Sequence, residues 1–366
     1  MPLPFSPSRA TAGTPQLALS YDSGAGNGPF GLGWTLSLPA IARKTERAIP
    51  RYLDGEDSDT FVLSSAEDLV PALVSTGATW VRDRTFRDGF RIDRYRPRID
   101  VGFARIERWT DVETGDAWWR AITTDNATSI YGRSPAARIS DPDDPRRIYK
   151  WLLEETRDDK GNVVAYEYKA EDGAGVDRGR PEERNRRIGT DANRYLKRVH
   201  YGNQVPAVAD QWHFELVLDY GEHDTGMDEV RPWPVRADSW SSYRSGFEIR
   251  TRRLCERVLL FHVFDALTVT PQLVRALELQ HAESAVATTL TSFVQRGYAH
   301  DGAQYTTKSL PPLELRYTAP AAAPHLAVLD PASAGNIPIG IGAGYQWVDL
   351  DSEGLAGLLT EQAQGW

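Results

Sequence analysis

Cysteine is almost missing from this chain: Cys255 stands alone among 366 residues. No intramolecular disulfide can form, so nothing in the fold depends on oxidation. Leu254 and the run Val258, Leu259, Leu260 around it point to a buried thiol, not a nucleophile. Long apolar runs are also missing. None approaches the roughly 18 residues a membrane helix requires, so no transmembrane segment is expected. The N-terminal MPLPFSPSRA carries two early prolines and no apolar core of signal-peptide length. The expectation is a soluble protein made in the cytoplasm and, where exported, secreted without a cleavable signal peptide. Positive charge does not dominate: 42 Lys and Arg against 51 Asp and Glu leave a net charge of −9, which argues against a nucleic-acid partner. Histidine is thin, with seven residues scattered from His200 to His325. A pair such as His200 and His213 could meet across strands as metal ligands, but no cysteine or spaced carboxylate lies nearby and each histidine reads as hydrogen-bonded or at the surface. The G-x-S-x-G, H-E-x-x-H and G-x-x-x-x-G-K-[ST] motifs do not occur. No catalytic residue, cofactor or resident metal is expected.

What the chain has in quantity is glycine, proline and aromatics: 30 Gly, 23 Pro, 11 Trp and 15 Tyr. Glycine and proline interrupt helices too often for long ones, and aromatics favour strands. The fold class read from this is mainly β, in multi-stranded antiparallel sheets. Residues 17–39, LALSYDSGAGNGPFGLGWTLSLP, give the clearest local signal. Leu17, Leu19 and Tyr21 alternate before a glycine-dense loop, and Trp34, Leu36 and Leu38 alternate after it. Between them lie Gly24, Gly26, Gly28, Gly31 and Gly33. Gly26, Gly28 and Gly31 spell a literal G-x-G-x-x-G, but the dinucleotide reading needs a helix opening on the last glycine. Residues 31–39 have period 2 and end in Pro39, so the loop reads as a tight turn that packs Phe30 and Trp34 against a sheet.

Further on, Asp54, Glu56, Asp57 and Asp59 cluster in a turn that lacks the ligand spacing of a calcium loop and reads as solvated. Short strands recur from Phe90 to Tyr131, and arginines alternate along 91–98 as on a wet sheet face. Residues 171–193 are charged and poor in apolar side chains, which reads as a mobile surface excursion. The stretch 273–293 is the one possible helix, although 277–280 alternate and lean towards strand. The tract Thr318-Ala319-Pro320-Ala321-Ala322-Ala323-Pro324 has linker composition. The domains expected are therefore 1–318, a linker over 319–335, and a distinct segment over 336–366.

The glycine stretch SYDSGAGNGPFGLGW, followed by Leu38-Pro39, Ile41, Arg43 and the acidic 52–57, resembles the N-terminal domain of the Salmonella virulence-plasmid B protein family. The same domain opens the B component of insecticidal Tc toxin complexes. Gly161-Asn162 ahead of Tyr166 and Tyr168, and Gly202-Asn203 after Tyr195, are similar to units of Rhs/YD repeat hairpins. Asp349, Asp351 and Glu353 resemble a calcium loop of an FG-GAP/VCBS β-propeller, with Gly357 where the last aspartate would stand, so the loop reads as degenerate and the propeller as truncated. The resemblance implies a wall segment of a hollow β shell that encloses a cytotoxic fragment of an Rhs-repeat C component, with a pore-forming A component as the further partner. It also implies no enzyme here: the family's C-terminal ADP-ribosyltransferase needs a Glu-x-Glu pair, and no two glutamates in this chain stand two apart. A second reading, from the tryptophans themselves, is a cell-surface or glycan-binding β module presenting Trp118-Trp119 and Trp233 with Trp240.

Overall fold

The computed structural model describes residues 1–9, 14–64, 67–99, 102–187, 189, 191–318, 344–350 and 357–360. It is nearly all β, and two 3-10 turns, Asp54–Glu56 and Pro135–Ala137, are the helical pieces among the described residues. Eight strands close into a barrel: β1 (Ala40–Arg43), β2 (Phe61–Leu63), β3 (Glu67–Pro71), β4 (Phe90–Pro97), β5 (Arg105–Asp111), β6 (Ala117–Ile122), β7 (Thr128–Tyr131) and β8 (Ile148–Arg157). Each pairs antiparallel with the next, and β8 returns to β1 through Trp151 opposite Ile41. Closure removes the exposed edges that an open sheet of this size would leave.

The lumen is filled. Phe61, Tyr95, Trp119 and Trp151 meet edge to face with centroids 5.0–6.0 Å apart, the geometry aromatic quadrupoles favour. The guanidinium groups of Arg43 and Arg108 lie over the Phe61 ring at 5.2 and 5.1 Å. A barrel packed this way is a rigid body and holds no channel.

Strand β8 is a junction. Its first half closes the barrel on β1, while on the same edge its second half pairs with β9 (Val163–Ala170), Glu155 lying opposite Ala165. From there an antiparallel sheet runs through β10 (Arg194–Asn203), β11 (Trp212–Asp219), β12 (Arg257–His262), β13 (Gln272–Ala282), β14 (Thr289–His300) and β15 (Tyr305–Ser309). The ambiguous stretch 273–293 thus holds parts of two strands, joined by a loop over 283–288. Alternation of apolar residues over 212–220 would by itself give one buried face, yet β11 is covered on both: Leu216 and Leu218 join the main core, and Val217 joins Leu259, Phe261, Leu273 and Ala276 in a second one.

The Gly-Asn signals have a physical cause. Gly161 and Gly202 hold φ of +79° and +71°, which glycine adopts without strain. The fully buried Asn203 side chain accepts from Val163 N at 2.9 Å and donates to Gly161 O at 2.9 Å, fastening the end of β10 to the turn before β9.

Residues Met1–Arg316 form one compact unit and Tyr317–Trp366 a second. In the second, Tyr345–Val348 pairs antiparallel with Gly357–Thr360. Asp349 lies just past the first of these strands, and Asp351 and Glu353 lie outside the described residues.

Candidate functional surface

The glycine stretch forms two nested hairpins. Leu19–Tyr21 pairs with Trp34–Leu36, and inside them Asn27–Gly28 pairs with Gly31–Leu32. Gly26, Gly31 and Gly33 carry φ of +74°, +97° and +79°. The tip enters a socket built from residues some 200 positions away. Arg236 donates to Gly28 O at 2.7 Å and to Asn27 Oδ1 at 3.0 Å, and Asn27 Nδ2 donates to Asp238 at 2.7 Å. Cys255 N donates to Pro29 O at 2.7 Å, Leu32 N donates to Thr288 O at 2.8 Å, and His281 Nε2 lies 3.3 Å from Phe30 O. Burial would raise the Asp238 carboxyl, but hydrogen bonds from Arg236, Asn27 and Thr288 hold it at about 2. Burial takes His281 down to about 4, so it grips Phe30 as a neutral imidazole. Phe30 and Trp34 are buried. The Asn27 side chain and the Gly28, Pro29 and Phe30 carbonyls and the Leu32 N–H of the tip are all committed to protein, so the socket acts as a staple.

The outer face of β4–β8 continues across β9 to β11 as a cross-strand ladder. Trp109 stands opposite Trp118, Arg120 opposite Ile130, Ile130 opposite Glu155, Glu155 opposite Ala165, Ala165 opposite His200, and His200 opposite Glu215. Where the segment 133–137 folds over this face there is a cavity of about 760 Å³, lined by Arg133, Ser134, Glu154, Glu155, Tyr166 and Glu167 among others. Its carboxylates already have partners. Glu155 takes Arg157, Glu154 accepts from Ser134 N, and Glu167 lies 3.1 Å from His200 Nε2. Burial alone would lower His200, yet Glu167 and Glu215 outweigh it and push the imidazole up to about 9.

Among the described residues, one group of donors has the proximity of a metal site: Glu222, His223 and Glu229, with ligand atoms within 4.8 Å of one another. The Lys197 ammonium already fills that role. It bonds Glu222, lies 2.7 Å from His223 Nε2 and 3.2 Å from Leu218 O, and stands 3.8 Å from Glu229, which Lys169 also pairs at 2.6 Å. Two lysines on three donors leave no net ligand charge for a divalent cation. Sequence reading missed this cluster because its members are polar residues without a spacing motif. The pair it nominated does not form: His213 stacks on Phe264 with centroids 4.6 Å apart, while His200 sits between two glutamates.

Compared with known proteins, the chain matches the family model described as Salmonella virulence plasmid 65kDa B protein over residues 1–264. The chain belongs to the SpvB family. The Salmonella typhimurium protein named mono(ADP-ribosyl)transferase SpvB is 38% identical over 329 residues, which cover 82% of this chain and 54% of that protein. The chain therefore spans about half the length of the curated relatives it matches. The solved N-terminal domain of the effector SpvB from Salmonella typhimurium superposes with a TM-score of 0.74 at 36% identity, covering 82% of this chain and 98% of that one. The transferase activity in the relatives' name lies in their C-terminal part, outside the aligned region. A chain of the Photorhabdus luminescens Tc holotoxin pore, solved with TccC3, superposes with a TM-score of 0.82 at 35% identity, covering 99% of this chain and 17% of that one.

Within this SpvB-family chain three readings need correction. The acidic turn 54–59 is solvated only in part: Glu56 and Asp57 are exposed, but Asp54 and Asp59 enter the end of the barrel and pair with Arg43 at 2.7 and 2.6 Å, and Asp54 also pairs with Arg108 at 2.5 Å. Desolvation would raise the Asp54 carboxyl, but the two arginines hold it at about 2. The excursion 171–193 is pinned: buried Glu171 pairs with Arg253, buried Glu183 with Arg250 and Arg252, and Asp191 with Arg252. Charge there marks anchoring. Finally, Trp119 and Trp233 are fully buried and Trp240 is half-buried, which leaves Trp118 as the half-exposed tryptophan of the Trp118-Trp119 pair.

Proposed function

We propose that this chain is a non-enzymatic structural part of a toxin delivery complex, a wall segment of a β shell that encloses a cytotoxic fragment of an Rhs-repeat C component and cooperates with a pore-forming A component. The observation that carries the reading is the superposition of nearly the whole chain on a fraction of a Tc holotoxin chain, at an identity well above the level where only the fold is shared. The internal chemistry supports it. The barrel lumen is packed with aromatics, the glycine loop is stapled, and the clustered acids of the acidic turn, the excursion and the Lys197 cluster are neutralised by arginine or lysine. These are the properties of a wall. The antiparallel pair Tyr345–Val348 and Gly357–Thr360 suits the opening strands of a propeller blade, and the degenerate loop around Asp349 belongs with that reading.

Co-expression with an Rhs-repeat C component tests the proposal. The expected result is co-elution of both chains in one high-mass peak. Separate elution at every salt concentration would count against it. The glycan-binding reading has lost Trp119 and Trp233 to the core, and of its four tryptophans Trp118 and Trp240 still bear on it.

A further inference from the structure

Trp118 lies in a concave site on the outer face of the barrel, next to but distinct from the cavity under segment 133–137. The site has a volume of about 390 Å³, within the range of small-molecule pockets. Its floor is aromatic. Trp109 and Trp118 stack across strands at 5.1 Å and 23°, and Phe90 sets its edge against both, at 5.7 and 6.4 Å. The two indoles are satisfied differently. Trp109 Nε1 donates to Glu107 at 2.9 Å, whereas the Trp118 N–H has no protein acceptor among the described residues. The arginines differ in the same way. Arg120 is held by Glu107 through Nε and Nη2 at 2.9 and 2.6 Å, and Arg157 is held by Glu155. Arg133 stands over Trp118 at 5.7 Å, is exposed, and has no carboxylate partner among the described residues. Its guanidinium is free to turn from the indole to a ligand.

We propose that the Trp118 pocket binds a carboxylate-bearing sugar ring, with the Arg133 guanidinium taking the carboxylate and the exposed indole surface taking the apolar face of the ring. One uncommitted cation matches a single negative charge. A phosphoryl group would call on several cations, and the other two arginines are held by carboxylates, Arg120 by Glu107, which it shares with Arg105, and Arg157 by Glu155. Hydroxyl groups find the Trp118 N–H, the Thr128 hydroxyl and the exposed Asp88 carboxylate on the same rim. A ring with an apolar face and polar edges suits such a mixed lining better than an acidic peptide side chain, which brings the carboxylate but no hydroxyls. The 760 Å³ cavity shares Ile130 and Arg133 with this pocket, so a second sugar unit has room to continue.

Titration of the full chain with methyl glucuronide, followed by tryptophan fluorescence, tests this directly, with methyl glucoside as the probe that lacks only the carboxylate. The expected result is saturable binding of the glucuronide, weaker by roughly tenfold or more for the glucoside, as the loss of a charge-assisted bidentate contact implies. Arg133→Gln should weaken the glucuronide by a similar factor and leave the glucoside unchanged. The variant removes no ion pair from the fold, so an unchanged melting temperature separates lost binding from lost structure. Trp118→Leu should weaken both sugars. Equal binding of the two sugars, no binding below about 10 mM, or an Arg133→Gln variant that binds as wild type would overturn the proposal. So would N-acetylglutamate amide binding as tightly as the glucuronide, which would assign the pocket to acidic peptides. Sugar binding stands apart from the shell reading, because failure to assemble with a C component leaves the pocket intact.

Discussion

Gly33 and Gly26 both hold positive φ, +79° and +74°, and differ in what surrounds them. A Cβ on Gly33 would lie 2.6 Å from Tyr21 Cε2 and 3.0 Å from Asp22 O, whereas one on Gly26 would meet nothing within 4 Å. Gly26→Ala should therefore cost the backbone term alone, about 1 kcal/mol. Gly33→Ala should cost at least twice that, about 2–3 kcal/mol, because the clash adds to the strain. Urea unfolding of the two variants reads the difference, and equal costs would mean that Tyr21 is free to move aside. The glycines were legible in the sequence because their spacing and the flanking alternation are local. Their partners Arg236, Asp238 and Thr288 were not. Arg236 reaches Gly28 across 208 positions, and nothing near Arg236 distinguishes it from a surface arginine.

His200 makes a pH prediction at the same scale. Burial opposes its charge, but Glu167 and Glu215 raise it from 6.5 to about 9. The folded state holds the proton more tightly than the unfolded one. The stabilisation is thus fully present below about pH 6.5 and disappears as pH rises through about 9. Comparing wild type with His200→Gln, the wild-type advantage in urea midpoint should be constant in the acid range, decline through the alkaline range and vanish above it. A gap that widens with pH would reverse the assignment.

At the scale of elements, the acidic turn and the charged excursion carry the same lesson. Both look like solvated charge in sequence, and both are anchors, because the arginines that neutralise them sit on distant strands. Asp54 joins Arg43 of β1 to Arg108 of β5, a span of 54 positions to the latter. Asp54→Ala leaves Arg108 without a carboxylate partner and should cost about 2–3 kcal/mol, less than a fully buried pair because part of the Asp54 side chain is exposed. Glu56→Ala removes only the open pair with Arg51 and should cost under about 0.5 kcal/mol. Thermal melts of both variants supply the comparison. In the excursion, Glu183 holds both Arg250 and Arg252. Glu183→Ala should raise the rate of limited proteolysis within residues 171–193 several-fold, with cleavage elsewhere unchanged. Unchanged cleavage would restore the reading of a loose loop. Strand identity, by contrast, was legible along most of the barrel, since alternation is a local property of each strand.

At the scale of the whole molecule, closure of the barrel was not legible. It depends on pairings such as Tyr95 with Pro71 and Trp151 with Ile41, whose registers no single segment encodes. The Y-shaped junction at β8, where a closed barrel opens into a sheet, follows from those pairings. It gives one closed end and one open sheet. The family resemblance was legible because the glycine hairpin that carries it is local in sequence and stapled at its tip.

On the function proposed above, this chain would enclose cargo without acting on it. Protease protection measures that most directly. The full chain is co-expressed with an Rhs-repeat C component bearing its cytotoxic C-terminal fragment, and the complex is digested over time. The fragment is expected to survive in the complex and to be degraded once the complex is dissociated. Degradation at the same rate with and without this chain would contradict it.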